Sequence, residues 1–345
     1  MNRKQTGLIF LLLFVLNINI SQAVFTKLGK AGFAFLKIGV GRATGMGEAF
    51  VAVANDVSAT YYNPAGLALI KNKEFLLSHN EWILSSRLEY LAFAHPTNFG
   101  TLGIALTYLN YGEFEETTID NYQGTGRTFS ANDMALTLGL ARMFTDKFAF
   151  GGNVKVIQER IWDLTANAVA LDLGIYYNTG WRNLRLAMTI SNFGPDARFS
   201  GKQLDVTITK PENWTWPWTI SPIPATYKTE NFILPTIFRV GLAYDFIRHE
   251  NYLFTIATDL VHYNDLNERI NVGLELNFKR YYLLAGASVN TDFEYASWVL
   301  WRSSLCGGFG AAFNIFGNTI LNLDYIVRDL GRLGLAHRVN LKLGL

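Results

Sequence analysis

Hydrophobic and polar positions alternate with a period of two along most of the chain after residue 72. In residues 270–278, for example, every second position carries Ile, Val, Leu or Phe, and the positions between them carry Asn, Gly or Glu. Because side chains point to opposite faces along a strand, this pattern predicts strands with one apolar face. Fourteen segments show it: 73–80, 87–95, 101–111, 128–142, 148–159, 166–177, 184–192, 236–246, 252–262, 268–279, 281–290, 305–316, 319–328 and 335–345.

Charged residues in these segments fall on the face opposite the large apolar residues. They are Lys155, Asp172, Arg185, Arg239, Asp245, Asp259, Glu275, Asp324, Arg338 and Lys342. An Arg or Lys on the lipid face at mid-bilayer would cost about 2–4 kcal/mol, so a membrane barrel requires this one-sidedness. A soluble β-sandwich also alternates, but fourteen long strands are too many for one sandwich, and its polar face would carry more charge. The pattern therefore predicts an all-β protein, a 14-stranded antiparallel transmembrane β-barrel.

The lengths of the connections between these segments support the same fold. Connections after even-numbered segments are short, whereas those after odd-numbered segments are mostly longer, notably Gly112–Arg127, Phe193–Pro235 and Thr291–Ser304. Outer-membrane barrels have short periplasmic turns and long outer loops. This parity predicts that both termini lie on the side of the short turns.

Arg42–Leu69 is a Gly- and Ala-rich run without strand alternation, just before the first alternating segment. A barrel of fourteen strands is too wide for its own side chains to fill, so it needs an inserted segment. Asn63 followed by Pro64 predicts a capped short helical turn. By itself the run also fits an ordinary loop and helix of a soluble protein, but behind a predicted barrel we expect an N-terminal hatch or plug.

Residues 1–23 have the three parts of a secretory signal: Arg3 and Lys4, an apolar run over 8–16, and Ser21-Gln22-Ala23 as a cleavage site. We therefore expect a signal peptide at 1–23, a plug at 24–72 and a barrel at 73–345. Cys306 is the only cysteine, which excludes an internal disulfide. The net charge of +2 gives no indication of a nucleic-acid partner.

Several short sequence segments resemble those of one protein family. They are Gly45–Asp56, Tyr62–Leu67, Ser191–Pro195, Leu234-Pro235, Phe238–Tyr244, Asn271–Glu275, Leu323–Tyr325 and His337–Val339. In this order and spacing they resemble PorV/PorQ-type outer-membrane proteins, a branch of the FadL-like superfamily of fourteen-stranded barrels with an N-terminal hatch. The resemblance covers essentially the whole mature chain.

The resemblance implies a bacterial outer-membrane location, in contact with membrane lipid, and two possible activities. PorV-type proteins bind exported proteins in type IX secretion and hand them on, which is our leading expectation because the chain is shorter than typical FadL transporters. The alternative is a FadL-like channel that passes fatty acids or other hydrophobic compounds when the hatch shifts. A barrel whose plug never moves is a third possibility.

Candidate site residues fall into three groups. In the plug, gating residues are expected among Gly45, Gly47, Glu48, Asp56, Asn63, Pro64, Ala65 and Gly66. In the lumen, Arg185, Arg239 and Arg338 could hold a carboxylate headgroup, or pair with Asp245, Asp259 or Asp324. In the proline-rich segment 193–235, Trp214, Trp216 and Trp218 are predicted either to dock a partner or to fold onto the barrel rim.

No enzyme chemistry is indicated by the sequence. The five histidines are scattered without metal-ligand spacing, and the glycines of residues 39–47 do not follow a strand in a phosphate-binding unit. We therefore expect no catalytic residues, no metal and no cofactor. The small-residue run Cys306–Gly310 is expected to let the plug approach a strand closely.

Overall fold

The structure, a computed structural model, describes residues 30–208, 222–290, 305–315, 317 and 319–345. Within these residues, fourteen long strands alternate up and down. In chain order they are β1 (Glu74–Glu81), β2 (Arg87–Thr97), β3 (Gly100–Glu115), β4 (Thr128–Met143), β5 (Phe148–Ile161), β6 (Leu164–Asn178), β7 (Arg185–Phe193), β11 (Ile237–Arg248), β12 (Tyr252–Tyr263), β13 (Arg269–Phe278), β14 (Tyr281–Asn290), β15 (Leu305–Asn314), β16 (Ile320–Asp329) and β17 (Leu335–Gly344). Three short strands, β8 (Phe199–Ser200), β9 (Asp205–Ile208) and β10 (Ile223–Thr226), lie in the connection between β7 and β11.

The fourteen long strands close into one antiparallel barrel. Each pairs with its neighbour in the chain, β7 pairs with β11 across the long connection, and β1 pairs with β17 from Glu74↔Gly344 to Glu81↔His337. The predicted strand number is therefore confirmed. The register shifts at three places, one of them in β3 between Asn110 and Glu113, where β-bulges bend the wall.

The faces of the strands are as the alternation predicts. Eight of the ten charged residues assigned to the lumen are buried, and Arg185 and Lys342 are partly buried. On the opposite face, Leu138 is 55% exposed and Val156 is 56% exposed, although both lie in the middle of strands. Such an apolar outer band around a polar lumen is the surface of a transmembrane β-barrel.

The helices of the described residues are all short. One α-helical turn covers Ala59–Tyr62, and 3₁₀ turns cover Ala34–Lys37, Gly41–Met46, Pro64–Leu69, Ile83–Ser85, Lys202–Leu204 and Gly331–Leu333. Among the residues described, no helix has the length and apolar character needed to cross a membrane.

Residues 31–72 form a plug inside the barrel. Its large side chains, among them Met46, Phe50 and Tyr62, are fully buried against the lumen wall. At the points of contact, the wall carries small residues that leave room for the plug. A Cβ atom added to Gly151 of β5 would lie 2.5 Å from the carbonyl carbon of Pro64, so this wall position accepts no side chain.

The plug crosses the barrel from one end to the other. We call the end with the connections after β1, β3, β7, β12 and β16 the loop end, and the opposite end the turn end. Ala31 forms a bridge with Ile233 at the loop end, whereas the amide of Leu345 donates to Lys73 at the turn end. The C-terminus lies at the turn end, as predicted, whereas the described chain starts at the loop end because residues 31–72 thread the lumen before β1 begins. The N-terminus itself lies outside the described residues, so its position stays a prediction.

Candidate functional site

The side chain of Asn63 joins the plug to the barrel wall. Its Oδ1 accepts the amide of Ala65 at 3.1 Å and so caps the turn Pro64–Leu69, as the sequence predicted. Its Nδ2 donates to the carbonyl of Val51 within the plug and to that of Ile175 on β6, at 3.0 and 3.1 Å. Asn63 is fully buried, so these groups have no water to replace their partners.

A second attachment comes from the wall itself. Asp259 of β12 points into the lumen, and its Oδ2 accepts the backbone amides of Phe50 and Val51 at 2.8 and 3.0 Å. Asn153 of β5 donates to the carbonyl of Thr60 at 2.9 Å. Polar side chains of the wall thus satisfy backbone groups of the plug, which would otherwise be buried without partners.

Arg42 holds the turn-end side of the plug. Its Nε donates to Asp56 at 2.8 Å, and its Nη1 donates to Glu275 of β13 at 2.5 Å. Asp56 also accepts the amide of Ser58 at 3.0 Å and lies 3.8 Å from the ammonium group of Lys342. Burial raises the pKa of Asp56, but Lys342 and Arg42 outweigh this effect and hold the pKa below its ordinary value.

Glu48 attaches the plug to the barrel wall on the loop-end side. It is buried, has a φ of 64°, and its carboxylate pairs with Arg328 of β16. A non-glycine residue seldom adopts this φ, and the ion pair holds it there. Burial raises the pKa of Glu48, yet Arg328 and Arg269 outweigh burial, and its pKa lies below the ordinary value.

Gly45 and Gly47 let the plug backbone touch the wall between these two ion pairs. Gly47 has a φ of 65°, and a Cβ atom on it would lie 2.7 Å from the amide nitrogen of Ala287. Its own amide donates to the thiol sulfur of Cys306 at 3.0 Å. The expected close approach between the plug and the small residues that begin at Cys306 is present.

The lumenal charges form only part of the pairing that the sequence suggested. Arg185 pairs with Asp245, as expected. Arg239 instead donates to Ser191 at 3.4 Å, and Asp259 accepts a hydrogen bond from the backbone amide of Phe50 in the plug. Arg338 lies beside Asn80, and Asp324 accepts from Asn340 at 3.4 Å, so these two do not pair with each other. An ion pair missed by sequence reasoning is Lys155–Asp172, at 2.9 Å.

A cavity of about 500 Å³ opens at the loop end, above the plug. Its walls are mostly apolar and come from the start of the plug, the β1–β2 connection, β3 and two further loop-end connections. The lining includes Ala34, Phe35, Ile38, Trp82, Ile83, Leu84, Leu109, Tyr111, Phe114, Leu266 and Leu330. It has four charged lining groups: Arg328 pairs with Glu48, Lys37 pairs with Asp265 at 2.7 Å, and the guanidinium of Arg269 lies over the ring of Tyr263 at 5.3 Å.

A second cavity, of about 390 Å³, lies at the turn end beneath the plug and is lined mainly by polar and charged groups. The two cavities share no lining residue, and the plug lies between them. The plug therefore separates the two cavities. Sequence reasoning missed both cavities, although the apolar run Trp82-Ile83-Leu84 in a predicted connection was a signal for the first.

Other predicted residues have no described role in either cavity. Trp214, Trp216 and Trp218 lie outside the described residues, as does the predicted signal peptide. Pro64 and Gly66 are buried in the plug beside Asn63 and Ala65. In the part of the chain that the structure describes, no group of His, Cys, Asp and Glu side chains could hold a metal ion.

A protein-family model matches the first part of the sequence. The model of an uncharacterised protein family, UPF0164, matches residues 19–158, which include the plug and most of the first five strands. Comparison with curated proteins finds no match.

Several solved structures share the fold, among them a hydrocarbon channel and a toluene transporter. A FadL homologue of Pseudomonas aeruginosa superposes with a TM-score of 0.54 at 10% identity, covering 89% of this chain and 98% of that one. The CymD monoaromatic hydrocarbon channel gives 0.53 at 11% identity, with 88% and 96% covered. The Pseudomonas putida toluene transporter TodX gives 0.53 at 13% identity, with 87% and 96% covered. The chain thus has the fold of FadL-like outer-membrane channels, and none of these three is described as a PorV or PorQ protein.

Proposed function

We propose that this protein is a channel of the bacterial outer membrane that takes small, uncharged hydrophobic molecules into its loop-end cavity and passes them when the plug moves. The observation that carries the proposal is the apolar cavity of about 500 Å³ directly above the plug. This volume lies within the range of pockets that bind small organic ligands. The related folds of hydrocarbon channels support the same class of substrate.

The charged groups around the loop-end cavity favour an uncharged ligand. Arg328 and Lys37 each already have a carboxylate partner, and the third cation of the lining, Arg269, lies over the ring of Tyr263 at 5.3 Å. A fatty-acid carboxylate would have to compete with Glu48 or Asp265 for them, and it would lose its own hydration on entry. A hydrocarbon or other neutral apolar molecule displaces no ion-pair partner and loses no charge hydration, because burial of its apolar surface alone favours binding.

The plug is the gate in this proposal. Asn63, Asp259, Arg42 and Glu48 hold it to four different parts of the wall. Each attachment is a small number of polar bonds, so a limited shift of the plug can break one without unfolding the barrel. We retain the division into a signal peptide at 1–23, a plug at 24–72 and a barrel at 73–345 as part of the proposal.

A role in type IX secretion, the leading expectation from the sequence, receives no support from the comparisons. They name neither a PorV-type protein nor an exported cargo protein, and the tryptophans proposed to dock cargo lie outside the described residues. Transport of a hydrophobic compound, the alternative, is the better supported of the two.

Uptake measurements test the proposal. Ala34 is exposed to the cavity, so Ala34→Trp fills part of it without disturbing the core. We expect cells whose lipopolysaccharide-covered outer membrane contains the wild-type protein to take up radiolabelled toluene faster than cells without it, and Ala34→Trp to remove most of this difference. Thr117→Trp, at an exposed loop position outside the cavity lining, is the matched control and should transport normally. Equal uptake with and without wild-type protein would refute the function, whereas normal uptake by Ala34→Trp would refute the cavity as its entrance.

A further inference from the structure

The cavity at the turn end has a chemistry opposite to that of the loop-end cavity. Five cationic side chains line it, and Glu275 is the one carboxylate among its described lining residues. The cationic residues are Arg42, Arg185, Lys279, Arg280 and Lys342. Four further carboxylates lie behind the cavity surface: Asp56 and Asp245 pair with Arg42 and Arg185, and Glu74 and Asp324 lie near Arg42 and Lys342. The positive charge of this concave surface of about 390 Å³ therefore lies mainly at its rim, on Lys279 and Arg280.

The cations are not all engaged to the same degree. Arg42 donates to Asp56, Asn55 and Glu275 and lies over the ring of Phe50 at 4.9 Å, so it is largely engaged. Lys342 lies 3.8 Å from Asp56, which is the outer limit of an ion pair. Lys279 and Arg280, at the exposed rim, form no ion pair within the part of the chain that the structure describes.

The remainder of the lining gives the site an apolar side. Leu253, Tyr281 and Tyr282 lie beside the rim cations, and Val53 of the plug completes the wall. A cluster of guanidinium and ammonium groups next to aromatic and aliphatic surface suits a molecule with one anionic group and a short apolar part. A bare cation would be repelled by the same surface.

We infer that the turn-end cavity is a binding site for an organic anion, in which a carboxylate or phosphate group contacts the rim cations Lys279 and Arg280 and the apolar part lies on Tyr282 and Leu253. Both a small soluble anion and the headgroup of an anionic lipid have this chemistry. Because the site lies on the opposite side of the plug from the loop-end cavity, it is separate from the proposed entrance. The inference does not depend on the transport of hydrocarbons.

Calorimetric titration of the purified barrel in an uncharged detergent tests the inference. We expect saturable binding of hexanoate, binding of inorganic phosphate at the same site, and no binding of hexylammonium, which has the same apolar chain with the opposite charge. Added sodium chloride should weaken the binding of both anions, because screening reduces the attraction at an open cavity. Equal binding of hexylammonium, or no saturable binding of either anion, would overturn the inference.

Two double variants locate the site. Lys279→Gln with Arg280→Gln removes the rim cations, neither of which is part of the plug attachment, and should weaken hexanoate binding roughly 2- to 30-fold. Lys147→Gln with Arg182→Gln removes two exposed cations at the same end but outside the cavity, and should leave the affinity unchanged. The two pairs are matched, since Lys279 lies over Phe278 and Arg182 lies over Trp181. Equal losses in both double variants would assign the binding to general surface charge and overturn the inference.

Nanodiscs identify the source of the anion. If lipid headgroups occupy the site, phosphatidylglycerol in the nanodisc should weaken hexanoate binding relative to phosphatidylcholine, and the Lys279 and Arg280 double variant should abolish that difference. If a soluble anion is the ligand, hexanoate should bind equally in both membranes. Either result supports the site and distinguishes the two sources.

Discussion

The carboxylate of Asp259 on β12 accepts the backbone amide of Phe50 in the plug at 2.8 Å. The same oxygen accepts the amide of Val51 at 3.0 Å. A side chain of the wall thus provides hydrogen-bond acceptors for two consecutive amides that have left regular secondary structure. Loss of this acceptor would leave two buried amides without a partner, so this contact is a principal attachment of the plug.

Asp259→Asn should loosen the plug. The substitution keeps the shape of the side chain but replaces one acceptor oxygen by an NH2 group, and we expect a loss of about 1–3 kcal/mol in the free energy of unfolding. Ion conductance across planar bilayers should rise as well, because the plug leaves the lumen more often. Asp146→Asn, at an exposed turn position, is the control. Unchanged conductance and stability in Asp259→Asn would show that the contact does not hold the plug.

Gly47→Ala tests the close contact between the plug and β14. Two effects act at this position: a φ of 65° and a Cβ atom only 2.7 Å from the amide nitrogen of Ala287. The first costs about 1–2 kcal/mol and the second, as overpacking, about 1–3 kcal/mol more. Urea-induced unfolding of the refolded barrel measures the sum.

Gly126→Ala separates these two effects. Gly126 has a φ of 77°, but nothing lies within 4 Å of a Cβ atom placed on it. This variant should therefore show only the cost of the backbone conformation. If the two variants are equally destabilised, the contact with Ala287 does not contribute, and the plug can move away from β14 without cost.

The strands were predictable because their pattern is local. In a barrel whose outside meets lipid, each strand must show apolar residues at every second position, whatever its neighbours are. Leu274 and Glu275 take their faces from this rule alone. The capped turn at Asn63 was predictable for the same reason, since the Asn-Pro pair fixes it within a few residues.

The partners of the lumenal charges were not predictable, because they depend on the plug. Asp259 was expected to pair with an arginine, but the plug places two amides against it. Arg239 consequently lies beside Ser191. The loop-end cavity was not predictable either, since Ala34, Trp82 and Leu266 meet there from three separate segments. A local sequence pattern cannot indicate contacts between residues so far apart in the chain.

The pH dependence of plug release follows from Asp56 and Glu48. Both have a pKa below the ordinary value in the folded protein. Their contribution to stability is therefore complete above the pKa of the unfolded chain, about 4, and is lost as the pH falls through the lower folded value. We expect conductance to stay at its closed level from neutral pH down to about pH 4 and to rise below it. In Asp56→Asn with Glu48→Gln, the closed level should be lost already at neutral pH; a double variant with the wild-type pH profile would contradict this assignment.

Leu138→Arg tests which face of the barrel meets lipid. Leu138 lies on the outer face of β4 and is 55% exposed, and Leu84 in the β1–β2 connection is 90% exposed. If both met water, replacement of either by Arg would change stability little. Because Leu138 faces the bilayer core, Leu138→Arg should cost about 2–4 kcal/mol when the barrel folds into lipid vesicles, whereas Leu84→Arg should be nearly neutral. Folding yield and urea-induced unfolding in vesicles measure the difference, and equal values for the two variants would mean that the outer face of β4 is not embedded in lipid.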